Sequence, residues 1–413
     1  MKHNNEVHLF IIWEKARDFE EEIIAKIENK FRIAQTYSIT WSPYQVGNNF
    51  TRFYGANLPK NSEKEKHCGN GEFKLIVVVD EQPNYDDRHT SKGVRRVNVN
   101  MFDTKAILRD ITGGGHKVHG TDSEEEAKHD LILLIGLSVK DFLKKHPIRS
   151  EDIIHKYDLL GCRGWDSFEQ LFYVLNECSE NIVLRNVENI NLNYITHNKG
   201  DIDILAKNSE EIKYVLGDLS SIDKKNSHMH VSISKVEALI EVYQYGTNLY
   251  HKAFEDDLFK NKVKTNNIYH PEEEIEMYAL IYHALLRKPE FEDKHKKRIF
   301  NKYTNYLGEQ NKTEQNKTEQ KLLKKIICYF DANSYIFIKP NIGYFNTRPE
   351  ITTRLITNKN RDGFLKRNIK KILEIQHKRR ELDVFILKNN NNIVFIKVKL
   401  FKGIVFCFYI GTK

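Results

Sequence analysis

Gly200-Asp201-Ile202-Asp203-Ile204-Leu205 sets two aspartates two positions apart among apolar neighbours. In a strand alternate residues share a face, so both carboxylates point one way and Ile202 and Ile204 the other. Neighbouring carboxylates repel unless a cation lies between them, and Mg²⁺ prefers such oxygen ligands together with substrate phosphates. The pair therefore suits phosphoryl or nucleotidyl transfer from a nucleoside triphosphate, with a solvated hairpin shoulder as the plain alternative. A second cluster runs Thr112-Gly113-Gly114-Gly115-His116-Lys117-Val118-His119-Gly120-Thr121-Asp122-Ser123. Glycines let a backbone approach phosphate closely, and the following Ser123-Glu124-Glu125-Glu126 has the form of a helix start whose amides can hold an anion. A histidine there can accept a phosphoryl group or act as a base near neutral pH, and a loop without chemistry is the alternative.

His119-Gly120-Thr121-Asp122-Ser123, with Ala127 four residues further on, is similar to the His-Gly-Ser-Asp-Ser signature around the phospho-accepting histidine of nucleoside diphosphate kinases. Asp130 falls where that family carries the carboxylate that orients the histidine. The resemblance covers about residues 7–136 and implies a ferredoxin-like βαββαβ domain with His119 catalytic. Gly114, His116, Thr121 and Arg109 are its nucleotide-binding candidates, with Arg95 and Arg96 as other possible phosphate clamps. The family has a lysine just after its first strand, where this chain reads Trp13-Glu14, and an asparagine where this chain has His116.

Gly200-Asp201-Ile202-Asp203-Ile204 resembles the Gly-Asp-h-Asp-h strand of the nucleotidyltransferase superfamily, whose third carboxylate usually sits on a later strand. By position Glu241, in Ala238-Leu239-Ile240-Glu241-Val242-Tyr243, fills that role. The resemblance spans about residues 150–290 and implies a mixed sheet with helices, with Mg²⁺ held by Asp201, Asp203 and Glu241 as catalytic carboxylates. The Gly-Ser turn that holds the triphosphate in that superfamily is not evident, and Arg185 is the candidate clamp in its place.

The elements that must position these groups follow from apolar spacing. Val7 to Trp13 reads as a strand, Ala16 to Phe31 as a helix, Gly55 to Gly71 as an exposed loop and Phe73 to Val79 as a buried strand. After Pro147, Ser150-Glu151-Asp152 reads as a helix start. A helix around Ser167 to Cys178, strands at Ile182 to Leu184, Ile202 to Ala206 and Ala238 to Tyr243, and a helix over Glu272 to Arg287 complete the middle. The pentapeptide Asn-Lys-Thr-Glu-Gln occurs twice, at Asn311 and at Asn316, and reads as a polar linker or a solvated helix extension. Beyond it come a helix at Leu322 to Phe330, an extended Tyr335 to Lys339 and three strands ending at Ile410. The expected fold class is α+β and multidomain: a kinase-like domain over 1–145, a nucleotidyltransferase-like domain over 146–305, a linker over 306–320 and a small basic α+β module over 321–413. Because the sequence stops just after an apolar strand, the module is expected to be shortened.

The 413 residues are 40% hydrophobic and 30% charged, enough for ordinary cores, and no apolar run approaches the roughly 20 residues of a membrane-spanning helix. Five scattered cysteines without CxxC spacing, and a strand-like start without a secretory signal, point to a reducing, cytoplasmic setting. Residues 291–413 carry 27 Lys+Arg against 11 Asp+Glu, a net +16 within an overall +8, so this third concentrates anionic partners. Arg361, Lys366, Arg367, Lys370, Lys371, Lys397 and Lys399 form its candidate polymer-binding surface. Asp383 followed by Ile396-Lys397-Val398-Lys399 has the outline of a restriction-like nuclease but lacks its second acid, at Lys397. His228 and His230 alternate as metal ligands can, yet no third partner is evident nearby, and His283 reads as a core residue. Tyr243, Tyr245 and Tyr250 suit either base stacking or packing.

The expected function is Mg²⁺-dependent nucleotidyl or phosphoryl transfer to a small molecule or a sugar-containing acceptor. Surface-polysaccharide assembly enters by analogy only. Two alternatives stand beside it: a catalytically silent protein that binds nucleotide or phosphopolymer, and nucleic-acid binding through the basic third.

Overall fold

The computed structural model describes residues 5–58, 62–90, 93–191, 201–221, 228–307, 315–339, 345–346, 348–352, 354–356, 382–388, 393–400 and 405–411. The chain is α+β. β1 (Glu6–Ile12) leads through a 3-10 turn into α1 (Glu20–Glu28), followed by β2 (Arg32–Ile39), α2 (Val46–Tyr54), α3 (Glu63–Cys68) and β3 (Phe73–Asp80). A hairpin of β4 (Tyr85–Thr90) and β5 (Gly93–Asn98), α4 (Val99–Ile111), β6 (Val118–Gly120), α5 (Glu124–Ile135), α6 (Val139–Lys145) and β7 (Ile153–His155) complete the first unit. Its sheet has the order β6-β1-β3-β2-β7. β3 is antiparallel to both β1 and β2, and β6 is antiparallel to β1. β1 and β2 thus run parallel around β3, and β3 and β6 run parallel around β1, as two interlocked β-α-β crossovers. The unbroken apolar run of β3 is buried at every position, as a central strand covered on both faces requires. Phe10, Ile12, Ile76 and Val78 face α1 and α4, while Leu9, Ile11, Leu75 and Val77 face the other way.

Two local readings need correction. Ser150-Glu151-Asp152 starts no helix: Ile153–His155 adds a parallel strand beside β2, from Tyr37↔Ile153 to Ile39↔His155. The buried Lys74 ammonium draws the segment in, since it lies 2.9 Å from the Asp152 carboxylate, which also accepts the Ser38 hydroxyl at 2.6 Å. The segment Gly55 to Gly71 is not all exposed loop. Ser62 caps α3 by accepting the Glu65 N–H, and Cys68 is fully buried.

The middle unit contains α7 (Phe168–Cys178), β8 (Asn181–Val183), β9 (Asp201–Ala206), α8 (Ser209–Leu216), β10 (His228–Ile233) and β11 (Val236–Gln244). Its sheet order is β10-β11-β9-β8, with β9 and β11 parallel and both outer pairs antiparallel. Ile202, Ile204, Ile240 and Val242 point into the same core that holds Leu131, Leu134 and Trp13 of the first unit. The two units therefore share one apolar layer. Arg52 of α2, only 1% exposed, crosses between them and donates to the carbonyls of Leu160 (2.6 Å), Val215 (2.7 Å) and Tyr214 (3.3 Å). Those of Tyr214 and Val215 belong to the last turn of α8, where a helix offers unpaired acceptors and a partial negative charge.

The opposite face of the middle sheet carries a helical layer. It comprises α9 (Lys252–Lys260), a hairpin of β12 (Lys262–Thr265) and β13 (Ile268–Pro271), α10 (Glu273–Leu286), α11 (Asp293–Lys302), α12 (Thr304–Leu307) and α13 (Gln315–Ala332). Leu322, Leu323, Ile326 and Phe330 of α13 share the core of Leu280 and Tyr282 from α10, and Tyr278 stacks on Tyr329 at 3.5 Å. No separate module therefore begins at residue 321. The second pentapeptide opens α13 as a helix extension, and residues 308–314 lie outside the described residues. Short β14 (Phe337–Ile338), α14 (Pro349–Thr352) and β15 (Leu355–Ile356) follow, and β16 (Leu382–Lys388), β17 (Ile393–Leu400) and β18 (Val405–Gly411) form an antiparallel meander. Of the basic surface residues, Arg361, Lys366, Arg367, Lys370 and Lys371, and the side chains of Lys397 and Lys399, lie outside the described residues.

Within the helical layer Glu255 is fully buried and accepts the N–H of Gly246 (2.7 Å) and of Tyr250 (3.1 Å). Burial raises its pKa from 4.5 to about 7, against the pull of those two bonds. The folded state thus holds an extra proton between these values, and its stability falls as pH rises through that window. Glu255→Gln removes the titration. Across that window wild type is expected to lose on the order of 3 kcal/mol relative to the variant in urea titrations. Parallel pH curves for the two proteins would show that this carboxyl is not responsible.

Candidate functional site

Alternation along the middle sheet turns the expected acids to one face, although the ligand atoms that converge within 4.8 Å are those of Asp201 and Glu241 with His228, and not those of Asp203. Ile202 and Ile204 are spent on the core, so Asp201 and Asp203 face the helical layer with Leu205. On β11 the same alternation buries Ala238, Ile240 and Val242 and turns Glu241 to the acid side. The parallel register sets Glu241 opposite Asp203. Asp203 is 1% exposed, and among the described residues neither carboxylate oxygen has a hydrogen bond. Its Oδ2 lies 2.7 Å from the Arg185 guanidinium, an ion pair that does not meet hydrogen-bond geometry. Burial pushes the Asp203 pKa up to about 7 against the Arg185 charge, with Asp201 and Glu241 adding to the rise. A buried carboxylate with one cationic neighbour beside two other acids fits a divalent cation, which would relieve the repulsion among the three.

The structure also brings in groups that the sequence reading set aside. His228 pairs directly with Glu241 across β10 and β11, and its Nε2 lies 3.6 Å from a Glu241 oxygen. Ligand atoms of Asp201, His228 and Glu241 all lie within 4.8 Å of one another. His230, one step along, is occupied by Glu237 at 3.0 Å. A basic wall adjoins the acids. Arg185 and Lys288 both act on Asp203, and both, with Arg287, help burial hold His283 neutral. The His283 and His295 rings lie 5.4 Å apart, and among the described residues Nη1 of Arg287 and Nε2 of His295 are buried without hydrogen-bond partners. His283 thus belongs to the edge of the site and not only to the core. Arg287, Lys288 and His295 had no local signal, since α10 and α11 bring them together only in space. Tyr243 and Tyr250 stand beside Arg185 and Asp203, while Tyr245 packs edge-on against Phe259.

In the first unit, β6 pairs with β1 and holds His119 opposite Ile11. Ser123 caps α5 by accepting the Glu126 N–H, and the helix then projects Glu126 and Asp130 toward the histidine. His119 Nε2 meets Asp130 at 2.8 Å, and the other Asp130 oxygen meets His129 Nδ1 at 2.9 Å. Burial would raise the Asp130 pKa, but the two imidazoles outweigh it and hold the carboxyl below its usual range. Phe53 and Tyr54 stand edge-on to the His119 ring at 5.4 and 5.8 Å.

The remaining candidates divide. Gly113, Gly114 and Gly115 all adopt left-handed backbone, which explains the glycine run, and nothing lies near the missing Gly114 side chain. Arg109 donates to the Val118 carbonyl at 2.9 Å and acts electrostatically on His116, whose pKa is lowered by burial and then by Lys64 and Arg109. Thr121 is corrected: it is fully buried, and its hydroxyl accepts the Leu9 N–H and meets His8 Nδ1, so it cannot reach a nucleotide. Trp13, just after β1, is 1% exposed and packs against Trp41, Phe50, Phe53 and Phe73. A shallow cleft of about 270 Å³, lined by residues including Lys128, Glu177 and Tyr269, shares no residue with either cluster.

No protein-family model matches the chain, and no curated protein does. Among solved structures, the Aquifex aeolicus nucleoside diphosphate kinase in an orthorhombic C222 crystal form matches 33% of this chain and 99% of its own, at 15% identity and a TM-score of 0.23. A likeness that slight transfers no function. Among the described residues no helix is long and apolar enough to cross a membrane.

Proposed function

We propose that the middle unit transfers a nucleotidyl or phosphoryl group from a nucleoside triphosphate to a small-molecule or sugar-containing acceptor, with a divalent cation held by Asp201, Asp203 and Glu241. The observation that carries this reading is the buried Asp203 carboxylate, ion-paired with Arg185 and without a hydrogen bond among the described residues, on the same sheet face as Asp201 and Glu241. A cation such as Mg²⁺ supplies charge neutralisation on the transferring phosphate and lowers the pKa of an attacking hydroxyl. Arg185, Arg287 and Lys288 supply fixed positive charge for the remaining phosphates, in place of the missing Gly-Ser turn. His283, held neutral, is a hydrogen-bond partner that adds no charge to that wall. The helical layer shields one side of the acids from water, which strengthens these interactions.

The test is incubation of the full chain with α- or γ-labelled nucleoside triphosphates and Mg²⁺ or Mn²⁺. α-Label passing to an acceptor, and lost with Asp201→Asn, supports nucleotidyl transfer. No turnover of either label favours the silent binding protein.

A second reading rests on the Asp130 carboxylate shared by His119 and His129. With Nε2 held, the other ring nitrogen of His119 is the position for a phosphoryl group, in what we read as a ferredoxin-like domain. Acid-labile γ-label on the protein is expected under this reading and should fall to background with His119→Ala. Label that persists in that variant removes His119 as the acceptor.

A further inference from the structure

We propose that His228 is an imidazole ligand of the middle unit's cation site and makes that site selective for a first-row transition dication, Mn²⁺ being the case to test, over Mg²⁺. This rests on the reading that Asp201, Asp203 and Glu241 hold a cation. Three observations point to it. His228 and Glu241 are directly cross-paired on antiparallel strands, where facing side chains stand closest, and their ligand atoms lie 3.6 Å apart. Asp201 joins them to make a His/Asp/Glu set whose ligand atoms all fall within 4.8 Å, close enough for one ion to touch all three. Asp203 lies buried on the same sheet face, ion-paired through Oδ2 with Arg185 and without a hydrogen bond among the described residues, and adds acidic character behind the three.

The histidine changes which cation fits. Mg²⁺ takes oxygen ligands almost exclusively and loses little when an imidazole is removed, whereas imidazole nitrogen is a good ligand for the softer transition dications. A site of carboxylates alone would accept Mg²⁺ freely, so the presence of one nitrogen biases the competition without altering the transfer chemistry. His228 opens β10, whose far end bridges to Trp165 while His228 itself pairs with Glu241 of β11, and its side chain is 43% exposed, so it can be replaced without opening the core. His230 shares that face but is held by Glu237 and provides the matched control.

The experiment is a titration of the full chain with Mn²⁺, followed by the electron paramagnetic resonance signal of the free ion, with Mg²⁺ as competitor. Pulsed resonance on protein labelled with ¹⁵N-histidine reads directly bound nitrogen. Wild type is expected to bind Mn²⁺ at least about tenfold more tightly than Mg²⁺ and to show the nitrogen coupling. His228→Gln should lose on the order of tenfold in Mn²⁺ affinity, lose the coupling and keep its Mg²⁺ affinity. His230→Gln should match wild type in all three. Mn²⁺ binding without nitrogen coupling, unchanged in His228→Gln, overturns the role of His228 and leaves the acid site standing. Absence of any bound dication in wild type overturns the acid site itself, and this inference with it.

Discussion

Asp203→Asn is expected to slow label transfer by about a thousandfold, an effect comparable to removing the main electrostatic element of a transfer site. The amide keeps the shape of the carboxylate but not its charge, so the cluster loses the group that no neighbouring hydrogen bond satisfies. The same change leaves the Arg185 guanidinium buried without its ion-pair partner, a loss on the order of 3 kcal/mol in stability. Rates are therefore to be compared well below the variant's melting temperature, with circular dichroism confirming that it is folded. Asp201→Asn makes the parallel test without that structural cost, because Asp201 is only half-buried at the start of β9. Retention of more than about a tenth of the wild-type rate by both variants would place the chemistry elsewhere.

Arg52→Ala should destabilise the protein by about 3 to 5 kcal/mol, measured by urea titration. The guanidinium binds three backbone carbonyls, those of Tyr214 and Val215 buried and that of Leu160 partly so, and alanine removes all three bonds and leaves a cavity the size of the lost side chain. Burial already lowers the Arg52 pKa to about 10, so the residue is held there at an electrostatic cost that its bonds must outweigh. Its carbonyl partners Tyr214 and Val215 belong to the middle unit, so the loss loosens the seam between two units and not one helix alone. A change below about 1 kcal/mol would mean that solvent or a neighbouring group replaces those bonds readily.

How far the sequence could be read depended on the range of the interaction concerned. Asp201, Asp203 and Glu241 were legible because a period of two is local: each acid is flanked by residues that must go inward. His228 was visible as one of two alternating histidines, but its partner could not be. The β10–β11 register is set by a two-residue turn, Ser234-Lys235, with both residues in left-handed backbone, and neither is the Gly, Asn or Asp that announces such a turn. His119 and Asp130 were legible from a motif that spans a strand and a helix close in sequence. Thr121 was misread for the same reason: a motif gives spacing, not the direction of a side chain, and here the hydroxyl turns to His8 and Leu9. The unity of the first two units, and of α13 with the middle one, was not legible at all. An apolar face looks the same whether it closes its own domain or packs against the next. Ser150-Glu151-Asp152 shows the converse, since its helix-start composition was overruled by pairing with β2 and by the Asp152 contact with Lys74, which Glu20 also neighbours.

The two apolar layers are also spectroscopically distinct. Trp13, Trp41 and Trp165, all the tryptophans of the chain, lie in the layer shared by the first unit and the inner face of the middle sheet. The layer on the far side is built on Tyr250, Tyr278, Tyr282, Tyr303 and Tyr335. Indole emission therefore follows the loss of the first layer, whereas tyrosine absorbance reports both, since Tyr37 lies in the first layer as well. A melt recorded at both wavelengths distinguishes one cooperative collapse from a helical cap that comes away first.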